Sequence, residues 1–465
     1  MIEYIFPIRI IECDKVIKQK NLLLKKPLQI GLAETKTTLF NKNSYIILDF
    51  EKEMCGGIRI LTSFSDNSKV RIRFGESLTE CCSELGGEKN STNDHSLRDF
   101  TVELPSLSDL TFGNTGFRFV RIDFSEEVSV KTIVAVNSIL KKKPTYVYSG
   151  NDEQIKNIYN VAKRTVDLCA AGDYVWDGIK RDRLVWIGDI HPEMLALTTL
   201  YGREPSIEKS LDFIKKQTPQ PLWMNNIPMY SMWWIIILAD YYQKTNCASF
   251  VKRQLKYMSA IINQINACVF ENGEFEFPFN FVDWPTKDTA DEVHGVRAIG
   301  IIAAKKAISI LKEFNMDTDI AQNLLSKLMK IEISPKSSKQ VTALKFFATE
   351  LNDEDRKCLT KGGAKGMSTF MSYYILKAVA SFDKQKAIDM MKQYYGAMLD
   401  KGATTFWEDF DVSWADDSCR IDEFPKTNEK DIHGDYGAFC YKGFRHSLCH
   451  GWSAGVLQFI KEECE

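Results

Sequence analysis

The chain has 465 residues and a formal net charge of −2, and apolar residues make up 44% of it. This composition is typical of a globular protein with a full core, and the length suggests two domains. The absence of excess positive charge argues against non-specific binding to nucleic acid.

The first twenty residues, MIEYIFPIRIIECDKVIKQK, lack the basic start, apolar run and small-residue cleavage site of a signal peptide. The most apolar segment, MYSMWWIIILADYY, contains Asp240 and is shorter than the roughly 20 residues that span a bilayer. It is therefore predicted to be a buried helix, and no membrane partner is expected. The twelve cysteines form no CxxC pair with metal spacing, so reduced thiols in a cytoplasmic protein are predicted.

Up to residue 148 the sequence patterns are those of β-strands. In KVRIRFGESL, Val70, Ile72 and Phe74 alternate with charged residues, which is the period of a strand with one solvated face. Other β-rich runs are Ser44–Glu51, residues 56–64, Phe117–Phe124 and residues 128–140. Segments rich in Gly, Asn, Asp and Ser separate these runs, as turns require. Residues 1–148 are therefore predicted to form an N-terminal β-sandwich domain.

From residue 149 the apolar period becomes helical. An Asn-Asp cap precedes Ile155, Ile158 and Ala162, and Gly172 ends this first helix. Comparable patterns recur at Ser206–Lys216, Tyr230–Gln243, Cys247–Cys268, Gly295–Phe314, Ile320–Lys330, Val341–Leu351, Ser368–Phe382, Lys384–Gly396 and His450–Glu462. Residues 149–465 are predicted to form a helical array. Its long loops at 172–193, 271–294 and 402–449 are where a binding site is expected.

The first long loop contains DGIKRDRLVWIGD, which runs from residue 177 to residue 189. It places Asp177, Asp182 and Asp189 around Arg181 and Trp186. Arginine favours the ionised form of a neighbouring carboxyl, whereas burial against tryptophan favours the protonated form. We expect the arginines to keep Asp177 and Asp189 ionised. One interpretation is an ion-pair lattice that ties the loop to the helices, and the other is a site where a carboxyl group does chemistry.

Three further segments combine acidic, aromatic and histidine residues. KGATTFWEDFDVSW places Glu408 after Trp407, and NFVDWPTKDTADEVHG contains Trp284. Solvated acidic loops with an anchoring tryptophan are the simpler interpretation of each segment taken alone. FRHSLCHGWSAG places His446 and His450 four residues apart, but no further ligands accompany them, so neither a metal nor a cofactor is predicted. A hydrogen bond from His450 to substrate or to a carboxylate is expected instead.

Acidic residues beside tryptophans thus recur in widely separated loops of a helical array. Two placed carboxylates, a histidine and an aromatic wall are typical of a glycosidase site. DGIKRDRLVWIGD, GATTFWE and HSLCHGWSAG, in this order, resemble three motifs of the α-L-rhamnosidases of glycoside hydrolase family 78, which belong to the six-hairpin glycosidases. RIRFGESLTE, TNDHSLRDF and GFRFVRIDF resemble the β-sandwich that precedes the catalytic barrel in that family.

The resemblance implies a multidomain α and β protein, with an N-terminal β-sandwich followed by an (α/α)6 barrel. It also implies an inverting mechanism. The family's usual run Arg-Asp-Glu-Arg reads Arg-Asp-Arg here, so that Asp182 is the residue matching the general acid, and Glu408 matches the general base. Inversion requires about 6.5–9.5 Å between the two carboxyl groups, which leaves room for a water molecule.

The same resemblance implies which residues contact the sugar, and they are Asp177, Arg181, Trp186, Asp189, Trp284, Trp407 and His450. The expected activity is exo-hydrolysis of terminal α-L-rhamnosides in oligosaccharides or glycoconjugates, so the expected partner is a carbohydrate. A homodimer, in which a partner subunit completes the cleft, is a further expectation. The alternatives are another glycosidase or a lyase on the same barrel, and a sugar-binding homologue without catalytic activity.

Overall fold

The computed structural model describes residues 2–33 and 35–465, and strands dominate the first part of the chain. The strands are β1 (Ile2–Ile5), β2 (Arg9–Ile17), β3 (Thr38–Thr62), β4 (Ser68–Gly75), β5 (Asp99–Leu104), β6 (Asp109–Phe124) and β7 (Val128–Ser138), with a short helix α1 (Leu78–Cys82) after β4. They are hydrogen-bonded in the order β1-β7-β3-β6-β4-β5, and β2 pairs with β3. Only the β3–β7 pairing among these is parallel.

The predicted strands are present, although their bounds differ. The two runs predicted at Ser44–Glu51 and residues 56–64 are parts of the single long strand β3, whose pairing with β6 shifts register between Asp49 and Met54. Strands β1, β2 and β5 were not predicted. Many of their side chains are only partly buried, so they lack the strong apolar alternation by which a strand is recognised.

The second part of the chain is helical, as predicted. The helices are α2 (Glu153–Cys169), α3 (Ile187–Tyr201), α4 (Pro205–Gln217), α5 (Pro228–Thr245), α6 (Ala248–Lys252), α7 (Leu255–Ala267), α8 (Glu292–Glu313), α9 (Asp319–Leu328), α10 (Lys339–Ala348), α11 (Asp353–Thr360), α12 (Ser372–Ala380), α13 (Lys384–Asp400) and α14 (Val456–Glu463). The single helix predicted at Cys247–Cys268 is therefore two, α6 and α7.

Helix α3 corrects the predicted loop at residues 172–193, because it begins at Ile187. All of its residues are buried, so that it has no polar face from which a helical period could be recognised. Helix α5, predicted to be a buried helix, is buried from Pro228 to Ala239. None of the helices in the described residues is long and apolar enough to cross a membrane.

Six of the helices form a closed ring. Each of α3, α5, α8, α10 and α12 contacts the next in this order, α12 contacts α14, and α14 contacts α3. The remaining long helices pack outside this ring, as α13 does against α12 and α9 against α8. The strand-rich region packs on the segment that follows α13, where Arg118 donates to the carbonyl oxygen of Gly402 and pairs with Asp422. This contact fixes the start of the long segment 402–449 against the strand-rich region.

Candidate functional site

A cleft lies where the helices of the ring begin, and it encloses about 460 Å3, part of it open to solvent. Eight of the nine predicted site residues line it, namely Asp177, Arg181, Asp182, Trp186, Asp189, Trp284, Glu408 and His450. Residues from three separate loops therefore converge on one cleft. Ile227, Tyr230, Phe281, Cys440 and Trp452 complete the lining.

The segment that begins at Asp177 forms a tight loop. The backbone N–H of Asp177 donates to the carbonyl oxygen of Leu184 at 3.2 Å, and the carboxylate of Asp177 accepts from the N–H of Leu184 at 2.9 Å. Between them, Asp182 and Arg183 have left-handed backbones with φ of 53° and 56°, which is uncommon for residues other than glycine. Backbone strain of this kind persists only where the surrounding contacts hold it.

The two consecutive arginines of this loop have different environments. Arg183 donates to the carbonyl oxygen of Asn114 at 2.6 Å and lies 4.7 Å from the ring of Trp176. Arg181 is only 5% exposed and lines the cleft. The loop is thus tied to the strand-rich region on the side of Arg183 and forms a wall of the cleft on the side of Arg181.

Arg181 joins two carboxylates. Its Nη1 donates to Oδ1 of Asp182 at 3.0 Å, and its Nη2 donates to Oε1 of Glu408 at 2.5 Å. Its Nε donates to the carbonyl oxygen of Arg445, which fixes the plane of the guanidinium. A planar fork of this kind can hold two acceptors in one fixed arrangement. Asp182 and Glu408, which lie 226 residues apart in sequence, are thereby brought to one side chain.

Glu408 is 5% exposed and is held by both of its carboxylate oxygens. Oε2 accepts from the backbone N–H of Ser447 at 2.9 Å, while Oε1 accepts from Arg181. Burial raises the pKa of Glu408, and the positive charge of Arg181 and the Ser447 hydrogen bond act in the opposite direction. The result is a carboxylate whose pKa lies above the ordinary range of glutamate.

His450 lies among three carboxyl groups. Its Nε2 is 3.9 Å from Oδ2 of Asp177, 3.9 Å from Oδ2 of Asp189 and 4.0 Å from Oε1 of Glu408. Burial lowers the pKa of His450 well below its ordinary value, so the ring is neutral. The hydroxyl of Tyr230 donates to Asp189 at 3.3 Å.

The expectation that arginines keep Asp177 and Asp189 ionised is wrong. Burial raises the pKa of Asp177 well above the ordinary range, and the neighbouring charge of Asp189 raises it further, which outweighs Arg181. Burial and the charge of Glu408 likewise raise the pKa of Asp189. Each carboxyl group is therefore easier to protonate than an exposed aspartate, and in the protonated form it can donate a hydrogen bond as well as accept one.

Asp182 is the most solvent-accessible of these four carboxylates, with 17% of its side chain exposed. Besides Arg181, it accepts from Nε1 of Trp186 at 3.2 Å and contacts Nδ1 of His95 at 2.9 Å. His95 comes from the strand-rich region, from the segment between α1 and β5. Sequence analysis did not identify it as a site residue, because nothing in its local pattern shows that this segment reaches the helical region.

The prediction for Trp407 needs correction. Its side chain is fully buried and packs 5.4 Å from the ring of Phe410, and it does not line the cleft. The neighbouring side chain, Glu408, faces the cleft instead. Trp452 provides the aromatic wall that was expected of Trp407. Its indole N–H donates to the carbonyl oxygen of Glu408, and its ring lies 4.0 Å from the ring of His450.

Trp284 also lines the cleft, from a short turn before α8. The carboxylate of Asp283 accepts from the N–H of Thr286 and caps this turn, while the hydroxyl of Ser368 donates to Asp283 at 2.9 Å. The ring of Trp284 stacks on Phe439 at 5.7 Å. The turn thus presents a fixed apolar surface to the cleft.

Behind the cleft, Glu76, Glu80 and His433 are close enough together to resemble a metal-binding group. Lys180 already supplies a positive charge there, since its Nζ lies 3.1 Å from Oε2 of Glu76 and 3.0 Å from Oε1 of Glu80. Glu76 also accepts from the backbone N–H of Leu448. This ion-paired group joins the strand-rich region to the segment that carries His450.

Comparisons with known proteins are consistent with this geometry. Residues 144–314 match the model of the bacterial α-L-rhamnosidase six-hairpin glycosidase domain. A rhamnosidase from Klebsiella oxytoca, solved with rhamnose bound, superposes with a TM-score of 0.76 at 18% identity, over 100% of this chain and 96% of that one. Comparison with curated protein sequences finds no match.

Two longer proteins have a similar fold. The family 78 rhamnosidase of Bacillus sp. GL1 gives a TM-score of 0.73 at 16% identity, over 96% of this chain and 48% of that one. The α-L-rhamnosidase of Streptomyces avermitilis, complexed with L-rhamnose, gives a TM-score of 0.62 at 14% identity, over 90% of this chain and 42% of that one. This chain thus spans less than half the length of these two proteins. The resemblance is thus confirmed at the level of the domain and the fold: residues 144–314, which include the first of the three motifs, match the six-hairpin glycosidase domain of bacterial α-L-rhamnosidases, and the chain has the fold of the solved α-L-rhamnosidases.

Proposed function

We propose that the protein is an inverting exo-glycosidase that hydrolyses terminal α-L-rhamnosides. The observation that carries this proposal is the bridge formed by Arg181 between Asp182 and Glu408. This bridge holds two carboxyl groups from different loops near one substrate position. Glycoside hydrolysis by acid and base catalysis requires such a pair. We further propose that residues 1–148 form a β-sandwich and residues 149–465 an (α/α)6 barrel, which the closed ring of helices supports.

In the proposed reaction, Asp182 gives a proton to the glycosidic oxygen as the bond to the anomeric carbon breaks. Glu408 takes a proton from a water molecule that attacks the opposite face of the sugar. The hydrogen bonds from Arg181 and Ser447 favour the ionised form of Glu408, which the general base needs. The proposal requires about 6.5–9.5 Å between the carboxyl groups when substrate is bound.

The remaining cleft residues would bind and orient the sugar. Asp177 and Asp189, with their raised pKa values, can donate hydrogen bonds to sugar hydroxyl oxygens. Neutral His450 can do the same through Nε2. The rings of Trp186 and Trp284 offer apolar contact to the methyl group that distinguishes rhamnose, a 6-deoxy sugar.

The substrate is tested by comparing 4-nitrophenyl α-L-rhamnoside with 4-nitrophenyl α-L-mannoside, which differs by one hydroxyl group at C6. We expect kcat/KM to favour the rhamnoside by about tenfold to a hundredfold, because an apolar pocket discriminates only modestly against an added hydroxyl. Equal or faster turnover of the mannoside would contradict the rhamnoside assignment. Absence of turnover with tight binding of free rhamnose would instead indicate a sugar-binding protein without catalytic activity.

The pH dependence of activity is expected to depend on Arg181. Glu408 must be ionised, so kcat/KM falls as the pH drops through the pKa of Glu408. Arg181→Gln removes the positive charge that lowers this pKa, and the acid limb of the pH profile should therefore move to higher pH. Arg203→Gln, at an exposed arginine paired with Glu208, is the matched control. An acid limb that stays in place in Arg181→Gln would show that Glu408 is not the titrating base.

A further inference from the structure

The strand-rich region contributes a side chain to the cleft. His95 lies in the segment between α1 and β5, and its Nδ1 is 2.9 Å from Oδ1 of Asp182. Its side chain is 38% exposed, so the ring has access to bulk solvent. His95 has a left-handed backbone with φ of 65°. A residue other than glycine adopts this conformation infrequently.

The segment that carries His95 is anchored on both sides. Asp94 pairs with Arg445 at 2.9 Å, next to the carbonyl oxygen that holds the guanidinium of Arg181. The hydroxyl of Ser96 donates to the carbonyl oxygen of Asn114, which also accepts from the Arg183 side chain. The position of His95 over Asp182 therefore does not depend on their own contact alone.

The three partners of Asp182 differ in what they can do with a proton. The Arg181 guanidinium and the Trp186 indole only donate hydrogen bonds, so each can serve only an oxygen that accepts. A neutral imidazole can accept at one nitrogen and donate at the other. Among the described partners of Asp182, His95 is thus the one side chain that can accept the proton of a protonated Asp182 or return it.

We propose that His95 is a positioning residue for the general acid, and that the Asp182–His95 pair holds the proton that goes to the glycosidic oxygen. This inference rests on the proposed function, in which Asp182 is the acid. When the glycosidic bond breaks, its electron pair stays on the leaving oxygen, which takes the proton from the pair. The attacking water forms the new bond to the anomeric carbon and loses its proton to Glu408. The pair regains a proton from solvent through the exposed imidazole, and Glu408 releases its proton to solvent.

The charges around the pair are compensated. Asp94, on the same segment, pairs with Arg445, and Arg181 pairs with Glu408 as well as with Asp182. Arg183 is bound to Asn114. The charged groups next to the Asp182–His95 pair therefore all have partners of their own, whether or not the pair carries its proton.

The test uses the full chain and two substrates that need the acid to different degrees. Methyl α-L-rhamnoside has a poor leaving group that requires protonation, whereas α-L-rhamnosyl fluoride has a good one that depends on it far less. His95→Ala should lower kcat on the methyl rhamnoside by about tenfold to a hundredfold, with a clearly smaller loss on the fluoride. His95→Asn tolerates the left-handed backbone and can bind Asp182, but it cannot carry a proton, so it should show the same selective loss.

Two controls separate this role from a structural one. Asp94→Asn weakens the anchor of the segment without touching the pair, and it should show no dependence on the leaving group. In the Asp182→Asn background, His95→Ala should cause no further loss, because the two residues act through one proton. Equal losses on both substrates, additive effects in the double variant, or no loss at all would overturn the proposal. If the wild type hydrolyses neither methyl α-L-rhamnoside nor α-L-rhamnosyl fluoride, the proposed function itself fails. If it hydrolyses both, and His95→Ala lowers kcat equally on the two substrates, only the role of His95 fails.

Discussion

Glu408→Gln is expected to lower kcat for 4-nitrophenyl α-L-rhamnoside by about a thousandfold or more, with little change in KM. Glutamine keeps the shape of the side chain but cannot take a proton from water, and removal of a general base alone costs about a hundredfold to ten-thousandfold. In the wild type, Arg181 and the N–H of Ser447 donate to different oxygens of Glu408. Glutamine has one carbonyl oxygen, so it can keep only part of this arrangement. The measurement is steady-state kinetics at the pH of highest wild-type activity.

The control for this substitution is Glu423→Gln, an exposed glutamate in the same segment 402–449. It should leave kcat within a factor of two of the wild type. If Glu408→Gln retains more than a tenth of the wild-type kcat while its thermal unfolding is unchanged, Glu408 is not the general base.

Asp182→Asn is expected to lower kcat for substrates with poor leaving groups by about a hundredfold to ten-thousandfold. The loss should shrink steeply as the leaving group improves, because a good leaving group departs without a proton. A series from methyl through 4-nitrophenyl to 2,4-dinitrophenyl α-L-rhamnoside measures this dependence. The variant also keeps an oxygen for Arg181 and for Trp186, so that the loop should remain folded.

Asp173→Asn, at an exposed aspartate before the same loop, is the matched control for Asp182. A loss in Asp182→Asn that is independent of the leaving group would mean that Asp182 binds or shapes the site without donating the proton. That result would also answer whether an aspartate can replace the glutamate usual in the family motif. The side chain is one methylene shorter, and it lines the cleft from a left-handed backbone position.

Much of the site could be predicted from three short motifs, since Asp177, Asp182, Glu408 and His450 do meet in one cleft. The change from strands to helices was also predictable, because apolar residues change from a period of two to a period near 3.6. The direction of Trp407 could not be predicted, because the segment around it has no regular period. Helix α3 was missed for a related reason, since full burial removes the contrast between apolar and polar faces.

His95 was beyond sequence analysis for a different reason. Its contact with Asp182 joins two regions of the chain, and no local pattern encodes which loop of one region lies over the other. The protonation of Asp177 and Asp189 also depends on depth of burial, which the neighbouring arginines in the sequence do not reveal. Both features depend on how distant parts of the chain pack together, which the local sequence does not encode.

The anomeric configuration of the sugar released first distinguishes inversion from retention. Hydrolysis of 4-nitrophenyl α-L-rhamnoside, followed by proton NMR during the first minutes, distinguishes the two anomers before they equilibrate. A water molecule activated by Glu408 attacks the face opposite the leaving group, so the account predicts that β-L-rhamnose appears first. First appearance of α-L-rhamnose would contradict it and indicate a covalent intermediate.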